Sequence, residues 1–218
     1  MNKYHIEYGK FNETPFMGIS VDMANKNSNS ICKISLSLIT KDEQIKAVSW
    51  YIKPPTTNFY FSSEHGITAD DVKDALPFYK VWEESIAPLM NWNIFASHYC
   101  QLTMKAIIDS YEYDSDRIFP ANNYLVYDTY IISKDIFTDL SNYKLKTISQ
   151  HIGSTIYASD VLHRSMAITD LLHYLFVKHP IYVGTPKIMA YAANKHCFSQ
   201  WKNDIDDDYG LKGDPELS

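Results

Sequence analysis

The chain has 218 residues, of which 45% are apolar and 14% aromatic, enough for one sizeable core. A net charge of -6 and a pI near 5.7 weigh against a broad, sequence-blind nucleic-acid surface, which needs clustered Lys and Arg. There is no run of about 18 apolar residues, and Met1 to Glu7 lack an apolar signal segment, so a soluble, unexported cytoplasmic protein without a membrane partner is expected.

Residues 1–15 are polar and read as an N-terminal arm. An apolar segment, Phe16 to Val21, ends at Asp22 and reads as a first strand. A polar connection, Lys26 to Ser30, leads into an alternating second strand with Ile31, Ile34, Leu36 and Leu38 on one face. A third alternating run (Ile45, Ala47, Ser49, Tyr51) stops at Pro54 and Pro55, which cannot continue a ladder. Thr68 reads as an N-cap with Asp70 and Asp71 in the first helical turn. A helix over Phe78 to Met90 is expected to bury Val81, Trp82, Ile86 and Leu89.

Asn93 to Ala96 reads as a short buried strand, followed by a helix carrying Met104, Ile107, Ile108 and Tyr111. This strand and crossover helix add a parallel strand to the meander. Leu125 to Tyr127 is another short strand, before a helix with Tyr130, Ile132 and Phe137. Leu145, Ile148 and Ile152 mark a helix stopped by Gly153, and Ser165 to Val177 a longer one with Met166, Ile168, Leu172, Leu175 and Phe176 inward. Beyond residue 178, an extension is expected with a short apolar stretch (Ile181 to Val183), a helix starting at Lys187 and an acidic tail from Asn203. Cys32, Cys100 and Cys197 are far apart in the chain and fit reduced, buried side chains.

Several phrases occur in an order that resembles the DnaQ-like DEDDh 3′-5′ exonuclease family. They are Ala24-Asn25 before Ser30 to Ile34, His65-Gly66-Ile67-Thr68 and the residues after it, Ala96-Ser97-His98, Asn142 to Leu145, and His163 to Met166. The resemblance covers roughly residues 16–178. It implies an α/β, RNase H-like fold: a mixed five-stranded sheet, antiparallel on one side and parallel toward the other, flanked by helices. It also implies a metal-dependent site, in which four carboxylates hold two Mg²⁺ or Mn²⁺ ions and a histidine takes the proton of the attacking water.

Carried onto this chain, the first motif puts its two acids at Ser20 and Asp22, the third at Thr103 and the fourth at Ile168, with the histidine at His163. One carboxylate remains of four, and Ile168 offers no oxygen at all. Two dications cannot be neutralised by that set, so metal binding is expected to be weak or absent. Losing even ~8 kcal/mol of transition-state stabilisation slows a reaction about a million-fold. Asp170 does not substitute for the fourth acid, since it lies about 200° around an ideal helix from residue 168. His163 is a vestige or a base.

The resemblance also places Met23, Asn25, His65 and His98 against the terminal nucleotide. For His65 the bland alternative is a loop turning into a helix, and for His98 with Cys100 it is a buried structural pair. Tyr124, Tyr127, Tyr130 and Tyr143 could stack bases, although half-buried packing is the commoner use. Asp204, Asp206 and Asp208 depart from a calcium-loop pattern. The leading expectation is a protein that no longer cleaves but binds a nucleic-acid 3′ end or a nucleotide. The alternatives are a protein-interaction scaffold, with the helix from Lys187 to Trp201 as its contact, and residual nuclease activity through a relocated site.

Overall fold

The computed structural model describes residues 16–40, 44–90, 93–113 and 116–193. The N-terminal arm, Cys197, the second half of the helix expected over Lys187 to Trp201, and the acidic tail lie outside the described residues.

The sheet is mixed, in the order β3-β2-β1-β4-β5-β6. Its strands are β1 (Met17–Met23), β2 (Ile31–Ile39), β3 (Ile45–Tyr51), β4 (Ile94–Ser97), β5 (Leu125–Asp128) and β6 (Lys187–Ile188). The first three form an antiparallel meander, and β4 and β5 join it in parallel, as expected of an RNase H-like α/β fold. Among the described residues the sheet has six strands, one more than expected. Lys187 and Ile188 pair antiparallel with β5, where a helix was read. Two residues are too few for period-2 alternation to register.

The helices are α1 (Ser62–His65), α2 (Ala69–Val72), α3 (Phe78–Val81), α4 (Cys100–Tyr113), α5 (Thr129–Ile136), α6 (Leu145–His151), α7 (Val161–Lys178), α8 (Pro180–Val183) and α9 (Met189–Ala192). The capping box at Thr68 and Asp71 is present, and Gly153 ends α6 with a φ of 75°. The helix read over Phe78 to Met90 is broken into α3, a π-turn at Trp82–Ile86 and a 3₁₀ turn at Ala87–Leu89. Pro88 has no N–H to continue an α ladder there. The apolar stretch at Ile181 to Val183 forms the short α8.

Period-2 alternation sorts the sheet into two faces. Met17, Ile19, Val21, Ile34, Leu36 and Leu38 join Phe95, Met104, Ile107 and Trp82 in the larger core. The opposite face carries α7, whose Ile168, Leu171, Leu172 and Leu175 pack with Phe16, Ala96, Ile132 and Ile148. A register shift between Asp22 and Met23 leaves Cys32 as an extra residue in β2. Ile31 therefore faces the larger core while Cys32 joins Ala24, Ile67 and Val72 in a smaller one.

Where β4 turns into α4, Tyr99 takes a left-handed φ of 60°, its buried ring 4.4 Å from that of Tyr130. Cys32 and Cys100 are free and buried. Burial, with the nearby Asp22 charge, pushes the Cys32 thiol up to about 12, and burial also raises Cys100, so neither is a poised nucleophile.

Candidate functional site

Small side chains on β1 bring α7 onto the sheet. Gly18, Ser20 and Asp22 alternate on the α7 face. The Gly18 N–H donates to Thr169 Oγ1 at 3.1 Å, and the Ser37 and Thr169 hydroxyls lie 2.6 Å apart, with those of Ser35 and Ser165 at 2.9 Å. A Cβ at Gly18 would sit 2.2 Å from Thr169 Oγ1 and 2.5 Å from the Ser165 carbonyl. This close seam fixes the first turns of α7 above the end of β1.

Arg164 projects from that part of α7. Its Nε donates to Ser20 Oγ at 3.2 Å, and Nη2 donates to the Val21 carbonyl at 3.2 Å and to the Asp22 carboxylate. Asp22 is buried, its side chain only 8% exposed, and the guanidinium neutralises it. Ser20 and Asp22, two of the matched acid positions, are thus gathered on one residue to which the sequence reading gave no role. The available signal was a lone buried-strand acid, which needs a cation, and an Arg beside His163.

The other matched positions are held by packing. Thr103 is buried on α4, and Ile168 lies one turn beyond Arg164 in the apolar cluster with Ala96 and Leu172. His163 is in α7, which starts four residues earlier than expected because Asp160 caps it. The half-exposed His163 ring meets Asp160 Oδ2 at 2.8 Å.

The His65 loop closes over the end of β1. The Ile67 N–H donates to His65 Nδ1 at 3.1 Å, so Nε2 carries the proton and donates to the Met23 carbonyl at 3.0 Å. Asn25 is also tied down: Nδ2 donates to the Asn58 carbonyl at 2.9 Å, and Oδ1 accepts from the Asn27 N–H at 2.9 Å. Met23, Asn25 and His65 are therefore together, whereas His98 belongs to a separate buried group. Beside the loop, burial raises the Glu64 carboxyl above its ordinary value; His65 lowers it and Asp22 raises it.

His98 lies between Thr129 Oγ1 (3.0 Å) and the Tyr143 carbonyl (2.9 Å), and burial holds its pKa down to about 4. Nearby, Asp128 caps α5 and accepts from the Cys100 N–H, yet burial lifts it to about 6. The signs oppose. As pH falls, the unfolded state takes up His98's proton first, so stability is lost from the unfolded value near 6.5 through about 4. Asp128 contributes a gain over an overlapping range, so wild type alone does not separate the two. The excess stability of wild type over His98→Asn should shrink by about 3 kcal/mol between pH 7 and pH 4 in urea titrations. A constant difference would show that His98 does not titrate as a buried neutral ring.

The donors at the end of β1 are one carboxylate already paired with a guanidinium, a serine hydroxyl and a carbonyl. That set does not fit two divalent cations, each of which needs several oxygen ligands. Among the described residues, no group of three or more His, Cys, Asp or Glu is arranged to hold a metal.

Solved structures similar to this chain in fold include 3′ exonucleases. One is Exonuclease X in complex with 5′-overhanging duplex DNA, at TM-score 0.59 and 11% identity, over 82% of this chain and 99% of that one. The chain has the exonuclease fold. A second is a 3′-exonuclease recognising the histone mRNA stem-loop at its 3′ end, at TM-score 0.61 and 14% identity, over 75% and 82%. A third is the nuclease domain of 3′hExo, a DEDDh family member bound to rAMP, at TM-score 0.58 and 13% identity, over 78% and 94%. No family sequence profile matches the chain, and no curated protein matches its sequence. Among the described residues, no helix of this exonuclease fold is long and apolar enough to cross a membrane.

Proposed function

We propose that this chain binds the 3′ end of a nucleic-acid strand, or a nucleotide, without hydrolysing it. The observation that carries the reading is the Arg164 guanidinium lying against Asp22 and Ser20, where the exonuclease fold would gather metal ligands. A cluster of bare carboxylates repels phosphate. Here Ser, Thr and Ile stand at three of the matched positions, and the remaining acid is neutralised from within the chain. Beside them, the Asn25 and His65 side chains are hydrogen-bonded to the Asn58 and Met23 carbonyls and hold the loop over the end of β1. Solved structures of the same fold hold DNA, an RNA 3′ end or rAMP, which supports this ligand class.

Fluorescence anisotropy with short single-stranded DNA and RNA in EDTA tests the binding. Saturable binding at micromolar concentration is expected, and none at tens of micromolar would refute it. Labelled oligonucleotides incubated with Mg²⁺ or Mn²⁺ should remain full length, and stepwise shortening would refute the loss of cleavage. A second reading, a protein scaffold, draws on the exposed apolar side chains Val177, Ile181, Tyr182 and Tyr191 of α7, α8 and α9. It gains ground if light scattering shows self-association or a stable complex while oligonucleotides fail to bind.

A further inference from the structure

We infer that two exposed tyrosines, Tyr51 and Tyr60, each with a lysine ammonium over its ring, are stacking platforms for the bases of an unpaired strand whose end sits at Asp22 and Arg164. The inference rests on the binding reading above and says how the strand is held. Cross-strand register places the first platform. Asp22 pairs with Lys33, and Lys33 pairs with Tyr51, so the three side chains stand in one row on one face of the sheet. That is the α7 face, because Ser35, two residues along from Lys33, touches Ser165 of α7. The row therefore runs from Arg164 across three strands to the sheet edge: guanidinium, carboxylate, ammonium, ring. Lys33 Nζ is 4.8 Å from the Tyr51 ring centroid, and Tyr51 is 43% exposed.

The second platform comes from the loop that covers the end of β1. The Phe61 N–H donates to the Ala24 carbonyl at 3.0 Å, fixing the chain beside Tyr60. The Tyr60 ring stands edge-on to buried Phe61 at 5.2 Å and is 58% exposed, with Lys26 Nζ 5.6 Å from its centroid. Each ring offers a face to a base, and each ammonium meets a phosphate. A base stacked on either ring makes an aromatic contact of the kind that holds single strands, with a cation already beside it. This pairing of aromatic faces with local positive charge suits single strands, and it needs no basic surface over the rest of an acidic chain. The tyrosines singled out in the sequence do other work: Tyr124 and Tyr130 are buried, Tyr127 packs on Phe176, and the Tyr143 hydroxyl donates to the Phe137 carbonyl at 2.6 Å.

The test is anisotropy of fluorescein-labelled oligo-dT and oligo-U in EDTA. Tyr51→Ala and Tyr60→Ala should each weaken binding at least ~5-fold, the range of a lost base stack. Tyr51→Phe and Tyr60→Phe should bind like wild type, since stacking needs the ring and not the hydroxyl. Lys33→Gln should reduce the slope of log affinity against log salt by about 0.7, one phosphate contact on a single strand. If wild type binds and both alanine variants bind equally well, the platforms are wrong while the binding reading stands. If wild type does not bind at tens of micromolar, that reading falls and takes the platforms with it. The rings are exposed, so unchanged thermal midpoints confirm folded variants.

Discussion

Replacing Arg164 by Leu should cost about 3 kcal/mol of unfolding free energy, read as a lower urea midpoint at unchanged m-value. The guanidinium satisfies a buried carboxylate, a serine hydroxyl and a strand carbonyl together. Its loss leaves Asp22 charged and unpaired in a position with little access to water. The Arg164 side chain is 26% exposed, which keeps the expected cost at the low end of the range for breaking a buried pair. Adding Asp22→Leu to that variant removes the stranded charge and should recover more than half of the loss. If Arg164→Leu alone costs less than about 0.5 kcal/mol, the pair is no stronger than a surface ion pair and does not secure α7.

Gly18→Ala should be comparably damaging, about 3 kcal/mol, although it adds a single methyl group. The new carbon would fall within 2.5 Å of the Ser165 carbonyl, which is backbone and cannot rotate away, and closer still to Thr169 Oγ1. Helix α7 would have to lift from β1, carrying Arg164 off Asp22. Removing the side-chain half of the clash with Thr169→Ala should therefore rescue Gly18→Ala only in part. Full rescue in denaturation curves, or a neutral Gly18→Ala, would show that the seam can widen at little cost.

The sheet was legible where alternation ran long. Strands β2 and β3 follow from it and β1 from an apolar run, with Thr68 and Gly153 marking helix ends through their own local chemistry. Strand β6 was not, because two residues carry no period. The π-turn arises from Pro88 within an otherwise helical pattern, and α7 begins early because Asp160 caps it, a signal present in the chain but outweighed by the apolar spacing further on. For the site, the lone acid at Asp22 was readable and its partner was not. Arg164 meets it across 142 positions of sequence, a closure that no local pattern encodes. Likewise Lys33 and Tyr51 become neighbours of Asp22 only through strand register.

The extra residue at Cys32 resets the parity of β2. Up to Lys33 the odd-numbered side chains look toward α7, and beyond the irregularity Ile31 enters the opposite layer with the even-numbered set. The orientation of Asp22 is thereby decoupled from the length of the connection between Met23 and Ile31. A shorter or longer loop grafted there would be absorbed at the fault line, and the carboxylate would still turn toward its arginine.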